Sequence, residues 1–150
     1  MGTQINRPTD LLSLVGRQLG TTDWQQITQD QVNLFADATG DHQWIHTDPQ
    51  RAAAGPFGGT IAHGYLTLSL IPRALNEVLT IDTLEAALNY GLNKVRFPAP
   101  VLVGAQVRAT VALVSAQQKP GGVEAVFGVA FEAENVDRPA CVAECVAVYR

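Results

Sequence analysis

Residues 62–79, AHGYLTLSLIPRALNEVL, form the segment that decides the fold of this chain. The segment has the length of a helix, and its first two turns are apolar nearly all round, which is typical of a central, buried helix. The apolar side chains of these turns are Tyr65, Leu66, Leu68, Leu70 and Ile71. Pro72 predicts a kink or the start of a second helical piece, because proline lacks a backbone N–H and clashes with the preceding turn.

After residue 84 the spacing of the apolar residues changes from the helical period to a period of two, which indicates strands. Three alternating stretches predict strands with one core-facing side, at residues 107–113, 123–131 and 141–149. Residues 87–97 predict a fourth, long strand, residues 24–27 a short one, and residues 119–122 and 137–139 the turns. Helices followed by antiparallel strands are an α+β pattern, in which a sheet can wrap around a central helix.

The bulk composition fits one compact domain over residues 1–150. The chain is 47% hydrophobic and 16% charged, which allows a sizeable core. Its net charge is −4 without a run of like charge, so neither nucleic acid nor a membrane is expected as a partner. The N-terminus does not resemble a signal peptide and no stretch is apolar enough to span a membrane, so we expect a soluble, cytoplasmic protein.

The two cysteines, Cys141 and Cys145, are predicted to be small buried residues. They lie an even number of residues apart in a predicted strand, which places both on one face but too far apart to form a disulfide. A redox or metal-binding role is the less favoured alternative.

A polar stretch precedes the apolar helix. Thr28 and Gln31 form a capping box, and the apolar spacing after them predicts a short helix that ends at Gly40. Residues 41–62 then predict a long loop, with one helical turn beginning at Asp48 and Pro49. A long loop in a compact domain is usually functional.

Asp41 and His46 are the candidate catalytic residues of this loop. A carboxylate and an imidazole beside a buried surface can move a proton on and off a water molecule. Either residue alone would more commonly serve as a turn or surface group, but together they flank the entry to a loop that leads into the most apolar helix. His42 is next to Asp41, but neighbours in an extended segment point apart, so His46 is the preferred partner.

His63 and Gly64 open the predicted central helix. The backbone N–H groups at a helix start have no helical acceptor and can hold a developing oxyanion, and glycine lets a ligand approach closely. Gly64 could instead serve only the packing of the helix against the sheet. Lys94 and Arg96 are candidate contacts to a phosphate-bearing ligand, although solvated strand faces also carry such residues.

Other chemistries are disfavoured. His42 and His46 have the spacing of metal ligands on a helix, but Gly40 and Pro49 bracket them in an irregular stretch, so no metal is expected. No Gly-x-Ser-x-Gly motif of a serine hydrolase is present, and the glycines of residues 55–59 are not followed by the Lys-Ser/Thr of a phosphate-binding loop.

The run from Phe35 to Leu70 closely resembles the MaoC-like, (R)-specific enoyl-CoA hydratase family. The resemblance is carried by ATGDHQWIHTDP, which contains Asp41 and His46, and by TIAHG, which ends at Gly64. NKVRFPAPV at residues 93–101 resembles the family's strand that follows the helix. The segment ITQDQVNLFADATGDHQWIH is most similar to the corresponding segment in the subgroup of nodulation protein N.

This resemblance implies a hot-dog fold, with an antiparallel sheet wrapped around a long helix, in a homodimer whose sheets join edge to edge. It implies that Asp41 and His46 activate a water that adds to a trans-2-enoyl thioester of CoA or acyl carrier protein. The product is the (R)-3-hydroxyacyl thioester, and no cofactor is needed. By the same resemblance Asp41 is the base, His46 orients the water and the Gly64 N–H polarises the thioester carbonyl.

The chain departs from the family pattern between the two catalytic residues. Many members have Asn-Pro where this chain has Gln43 and Trp44, so Gln43 is the candidate that supports the dyad, with His63 as another. Pro72 stands where some members have a serine near the acyl pocket, so the preferred acyl length is not predicted. Two alternative functions stay open, a hot-dog acyl-CoA thioesterase and a non-catalytic acyl-thioester binding protein.

Overall fold

The structure, a computed structural model, describes residues 2–150. Over this range the elements are, in chain order, β1 (Thr3–Ile5), a 3₁₀ helix (Pro8–Leu14), β2 (Gln18–Thr21), β3 (Gln25–Gln26), α1 (Gln29–Thr39), α2 (Trp44–Thr47), α3 (Pro49–Ala53), α4 (Gly64–Ser69), α5 (Ile71–Val78), β4 (Leu79–Ile81), β5 (Ala87–Arg96), β6 (Gln106–Lys119), β7 (Gly122–Ala133) and β8 (Cys141–Tyr149). The predicted strands are confirmed as β3 and as β5 to β8.

The main sheet has the strand order β2-β6-β7-β8-β5, and β3 pairs with the same strand as β2, namely β6. All of its pairings are antiparallel. Phe127 on β7 lies opposite Leu113 on β6 and Cys145 on β8, and its side chain is fully buried. The alternation in the sequence thus places one face of these three strands against the core, as predicted.

The predicted central helix is present as two consecutive segments, α4 and α5. Pro72 occupies the first turn of α5, where its missing N–H removes no helical hydrogen bond, so the predicted second piece is confirmed. One face of the pair packs into the core through Leu66, Ile71, Ala74, Leu75 and Val78. The expectation of burial all round was wrong, because Tyr65 on the other face is 69% exposed. Between residues 2 and 150, no helix is both long enough and apolar enough to cross a membrane.

β5 lies at one edge of the sheet and pairs with β8. Its register against β8 shifts twice, between Asn89 and Gly91 and again between Leu92 and Lys94. The side chains along it are exposed almost throughout, including those of Tyr90 and Leu92. This edge is therefore an open, bulged strand that carries apolar side chains.

Cys141 and Cys145 both face the core from β8 as free, buried thiols, which confirms the predicted burial. Burial raises the pKa of each thiol from 9.0 to about 11, because the interior disfavours the charged thiolate. Both side chains therefore behave as small apolar residues at neutral pH.

Candidate active site

Helix α1 delivers Asp41 to the site. The Thr28 side chain accepts the Gln31 N–H at 3.1 Å and caps the helix start, which is the Thr28 half of the predicted capping box. The helix ends at Gly40, whose φ of 81° is the left-handed conformation that glycine adopts most easily. The chain turns there and places Asp41 directly after the helix.

The loop that follows contains more helix than the sequence predicted. The expected turn at Asp48 and Pro49 is confirmed as α3, capped by the Asp48 carboxylate, which accepts the Arg51 N–H. One further turn, α2, precedes it and was not predicted. Because of α2 the chain curls between Gln43 and Asp48, and His46 is only 6% exposed.

His46 is held by a backbone carbonyl. Its Nδ1–H donates to the Ile61 carbonyl oxygen at 2.7 Å, since that oxygen can only accept. The neutral ring therefore leaves Nε2 without a proton and able to accept one. The Ile61 N–H in turn donates to the Ile45 carbonyl at 3.0 Å, so the two loop segments that form this site are tied together.

His63 lies against both predicted catalytic residues. Its Nε2–H donates to the Asp41 carbonyl oxygen at 3.0 Å, and its ring is stacked on His46 with centroids 3.9 Å apart. The Phe35 ring packs on His63 at 4.8 Å. His63 is only 3% exposed, so it is more deeply buried than Asp41 or His46.

The structure thus brings Asp41, His46 and His63 together. A carboxylate oxygen and one nitrogen of each ring all lie within 4.8 Å of one another. Atoms with that spread can lie about 2.8 Å from one water molecule, which is an ordinary hydrogen-bond distance, and the water can donate to two of them at a time. The stacked rings of His46 and His63 direct their lone pairs along nearly parallel lines, which suits a shared zinc ion poorly. The arrangement fits a water molecule better than a metal ion.

Gly64 begins α4 beside this cluster. The N–H groups of a first helical turn have no acceptor within the helix, so the Gly64 N–H can bind an oxygen placed there. Gly64, His46, Thr67 and Phe97 are among the residues that line a cavity of about 300 Å³. The cavity therefore joins the imidazole of His46 to the start of the helix.

The other predicted site residues lie elsewhere or contribute less. Lys94 and Arg96 lie opposite Glu144 and Val142 of β8, on the sheet face away from the core, where they line a separate groove of about 570 Å³. Within one chain they do not join the cluster, and their contact to phosphate stays a prediction. Gln43 is exposed, and its backbone N–H donates to the Asp41 carboxylate at 3.4 Å.

His42 points away from the cluster. Its Nε2 lies 2.9 Å from the Asp37 carboxylate at the surface, with both side chains mostly exposed. His42 therefore does not join Asp41, His46 and His63 in the cluster.

Gln29 is a site residue that the sequence did not indicate. Its Nε2–H donates to the His46 carbonyl at 2.7 Å, while its Oε1 accepts the hydroxyl of buried Thr60, also at 2.7 Å. Gln29 thereby ties the loop segment that carries His46 to the loop segment that carries Thr60. Thr60 is 31 residues away in the sequence, so no local pattern marks the pair.

Comparison with known proteins agrees with this architecture. The sequence profile of the MaoC like domain matches residues 10–133. The chain is 56% identical over 141 residues to 3-hydroxyacyl-thioester dehydratase Z of Mycobacterium tuberculosis, covering 93% of each protein. It is 42% identical over 143 residues to nodulation protein N of Rhizobium meliloti, covering 93% of this chain and 89% of that protein.

The structure resembles the (R)-hydratase from A. caviae involved in PHA biosynthesis, with a TM-score of 0.73 and 23% identity. The match covers 89% of this chain and 95% of that protein. At this level of identity the likeness concerns the fold, which is the hot-dog fold predicted from the sequence.

Proposed function

Because the chain belongs to the MaoC-like dehydratase family, whose members are hydro-lyases, we propose that it adds water reversibly to trans-2-enoyl thioesters. The product is an (R)-3-hydroxyacyl thioester. The observation that carries this proposal is the cluster of Asp41, His46 and His63 beside the start of α4. The name of the 56% identical relative describes the reverse direction, removal of water from a 3-hydroxyacyl thioester, which the same groups would catalyse.

In the proposed mechanism, the cluster holds one water molecule. The Asp41 carboxylate accepts a proton from this water, whose oxygen attacks the β-carbon of the enoyl group while the unprotonated Nε2 of His46 orients it. The electron pair of the double bond moves through the α-carbon onto the thioester oxygen. The proton is then returned to the α-carbon, so that the elements of water are added and no cofactor is consumed.

Gly64 is proposed to stabilise the enolate-like oxygen that forms in this step. Its N–H at the beginning of α4 is the donor, and the cavity lined by His46 and Gly64 is the place for the thioester carbonyl. Removing one such donor typically costs about 2.7–4 kcal/mol of transition-state stabilisation. Gln43 supports Asp41 in this proposal through its backbone N–H rather than through its side chain.

One assay separates the proposed hydratase from its alternatives. Purified protein is incubated with crotonyl-CoA and longer enoyl-CoAs, and loss of the conjugated enoyl absorbance is followed beside release of free thiol. A hydratase removes the absorbance without releasing thiol. Release of thiol with the alkene retained would identify a thioesterase instead, and saturable binding without either signal would identify a non-catalytic binding protein.

We also propose that two chains associate through β5, with their sheets joined edge to edge. Support comes from the position of β5 at the edge of the sheet in the described part of the chain, and from its exposed apolar side chains, Leu88, Tyr90 and Leu92. Open sheet edges are normally covered or protected in stable proteins. An antiparallel pair of β5 strands would also bring the Lys94 and Arg96 side chains of both copies onto one joined sheet.

The thioester carrier is proposed to be CoA, with acyl carrier protein as the alternative. Among the described residues neither Lys94 nor Arg96 forms an ion pair, so both charges are available for phosphate groups. If they bind the CoA phosphates, the Lys94→Ala and Arg96→Ala variants will show a raised KM and a weaker dependence of KM on salt. If the dependence of KM on salt is unchanged in these variants, Lys94 and Arg96 do not bind the CoA phosphates.

A further inference from the structure

We infer that His63 is a positioning residue that holds both members of the dyad, Asp41 through a hydrogen bond and His46 through ring stacking. The inference rests on the proposed function, because it concerns the same reaction. It goes beyond that function because it assigns the Nε2–H of His63 to holding Asp41, and the ring face of His63 to holding His46.

The first contact fixes Asp41. This residue lies on an exposed turn after Gly40, and among residues 2–150 its carboxylate accepts one hydrogen bond, a long one of 3.4 Å from the Gln43 N–H. The bond of 3.0 Å from His63 Nε2 to the Asp41 carbonyl instead connects the turn to a buried side chain at the start of α4. It therefore limits where the carboxylate can lie relative to Gly64, the next residue after His63.

The second contact fixes the orientation of His46. The two rings are 3.9 Å apart with an angle of 24° between their planes, and Phe35 packs against His63. A partial rotation of the His46 ring about its Cβ–Cγ bond would break this stacking together with the hydrogen bond to Ile61, and a half-turn would break the hydrogen bond. The stacking and the hydrogen bond together therefore fix the direction in which Nε2 of His46 points.

The two ring nitrogens of His63 differ in their contacts. His63 Nδ1 is buried and, in the part of the chain that the structure describes, forms no hydrogen bond within the protein. A phenylalanine would fill a similar volume and could stack on His46, but it has no N–H to donate. What histidine provides in addition is the Nε2–H that Asp41 accepts.

Three variants separate the two contacts. His63→Phe keeps a ring for stacking but loses the donor, His63→Gln keeps an amide donor but loses the ring, and His63→Ala loses both. We expect kcat for enoyl-CoA hydration to fall roughly 10-fold for Phe and Gln and roughly 100-fold for Ala, with KM changed less than about twofold. His42→Ala, which changes an exposed histidine of the same loop, is the matched control and should keep the wild-type kcat.

A measurement independent of turnover tests the same assignment. The chain has three histidines, so the imidazole nitrogen signals of ¹⁵N-histidine-labelled protein can be assigned by single substitutions. We expect the Nδ1–H form at His46 and the Nε2–H form at His63, and a shift of the His46 nitrogen signals in the His63→Ala variant, which loses the stacked ring while the bond to Ile61 keeps the proton on Nδ1.

The outcomes are distinct for the two proposals. Wild-type kcat and an unchanged His46 spectrum in His63→Ala would overturn the positioning role. If that variant does not fold, a kcat equal to that of the wild type in both His63→Phe and His63→Gln would overturn the positioning role as well. A wild-type protein that hydrates no enoyl thioester would refute the proposed function, while the tautomer spectra would still test the contacts of His63.

Discussion

The ring of Phe97 lies directly against Gly64. A Cβ atom added at Gly64 would come within 3.2 Å of two ring carbons, closer than the roughly 3.5–4.0 Å at which carbon atoms pack well. Both residues line the cavity beside His46. The absence of a side chain at Gly64 is therefore what allows the aromatic ring and the start of α4 to form one wall of the cavity.

The variant Gly64→Ala is expected to lower kcat about 10-fold, because either Phe97 or the start of the helix must shift by a few tenths of an ångström. Hydration of crotonyl-CoA measures the effect. Gly59→Ala is the control, since its added Cβ would meet only the flexible end of Leu102 at 3.7 Å. Equal activity of the two variants would mean that the contact with Phe97 has no part in catalysis.

The variants Asp41→Asn and His46→Gln test the dyad. Each removes one acid–base group with little change in shape, so kcat is expected to fall by roughly 10²–10⁴-fold while the protein stays folded. Circular dichroism checks the fold and the loss of enoyl absorbance gives the rate. Wild-type rates in either folded variant would reject the assignment of that residue.

Much of the fold could be predicted because it depends on local, periodic signals. The alternation around Phe127 marks a strand with one buried face, and the pair of Thr28 and Gln31 marks a helix start. Pro72 marks the second helical piece, since proline is tolerated in a first turn but not inside a helix. Each of these signals acts over a few residues and needs no tertiary contact to be read.

The site was less predictable because its contacts join distant positions. His63 bonds to Asp41 across 22 residues, and Gln29 bonds to Thr60 across 31. The single turn of α2 was missed because four residues without a capping side chain give almost no periodic pattern. Tyr65 was expected to be buried because composition shows how apolar a helix is but not which face a neighbour covers.

The variant Gln29→Leu should destabilise the protein. It leaves the hydroxyl of buried Thr60 and the His46 carbonyl without their partner, and an unpaired buried polar group costs about 1–3 kcal/mol. Urea unfolding measures the loss in the free energy of unfolding. Gln50→Leu, at an exposed position of α3, is the control and should change stability by less than about 0.5 kcal/mol. A loss of the same size in both variants would contradict the role of Gln29.

Charges placed on β5 should separate the proposed dimer. Tyr90→Asp and Leu92→Asp bring carboxylates to an edge where two strands would meet, so both variants are expected to elute as monomers. Light scattering after size exclusion gives the molar mass. Leu34→Asp changes an equally exposed apolar residue on α1 and should leave the mass of the wild-type particle unchanged. Dimers of all three variants would place the interface elsewhere.

The buried thiols predict a loss of stability in alkali. Burial raises the pKa of Cys141 and Cys145 to about 11, so above pH 9.0 the thiols ionise in the unfolded state before they ionise in the folded one. Ionisation then favours unfolding, and the free energy of unfolding should fall between about pH 9 and 11. Burial also raises the pKa of Tyr149, which acts in the same direction.

Thiol labelling tests the burial of Cys141 and Cys145 directly. At pH 8 a disulfide reagent should react slowly with the folded protein and quickly with two thiols per chain in guanidinium chloride. In the variant that combines Cys141→Ala with Cys145→Ala, the alkaline fall in stability should be smaller. Rapid labelling of the folded protein would contradict the burial of these side chains.

The two register shifts of β5 also influence what can bind to that edge. Each shift bends the strand locally, so its outer N–H and C=O groups do not form one straight, evenly spaced row. A flat, regular strand from an unrelated chain cannot match such a row along its whole length, whereas a strand with the same bends can. The irregular edge thus discriminates between partners, and it disfavours the open-ended stacking of strands that leads to fibrils.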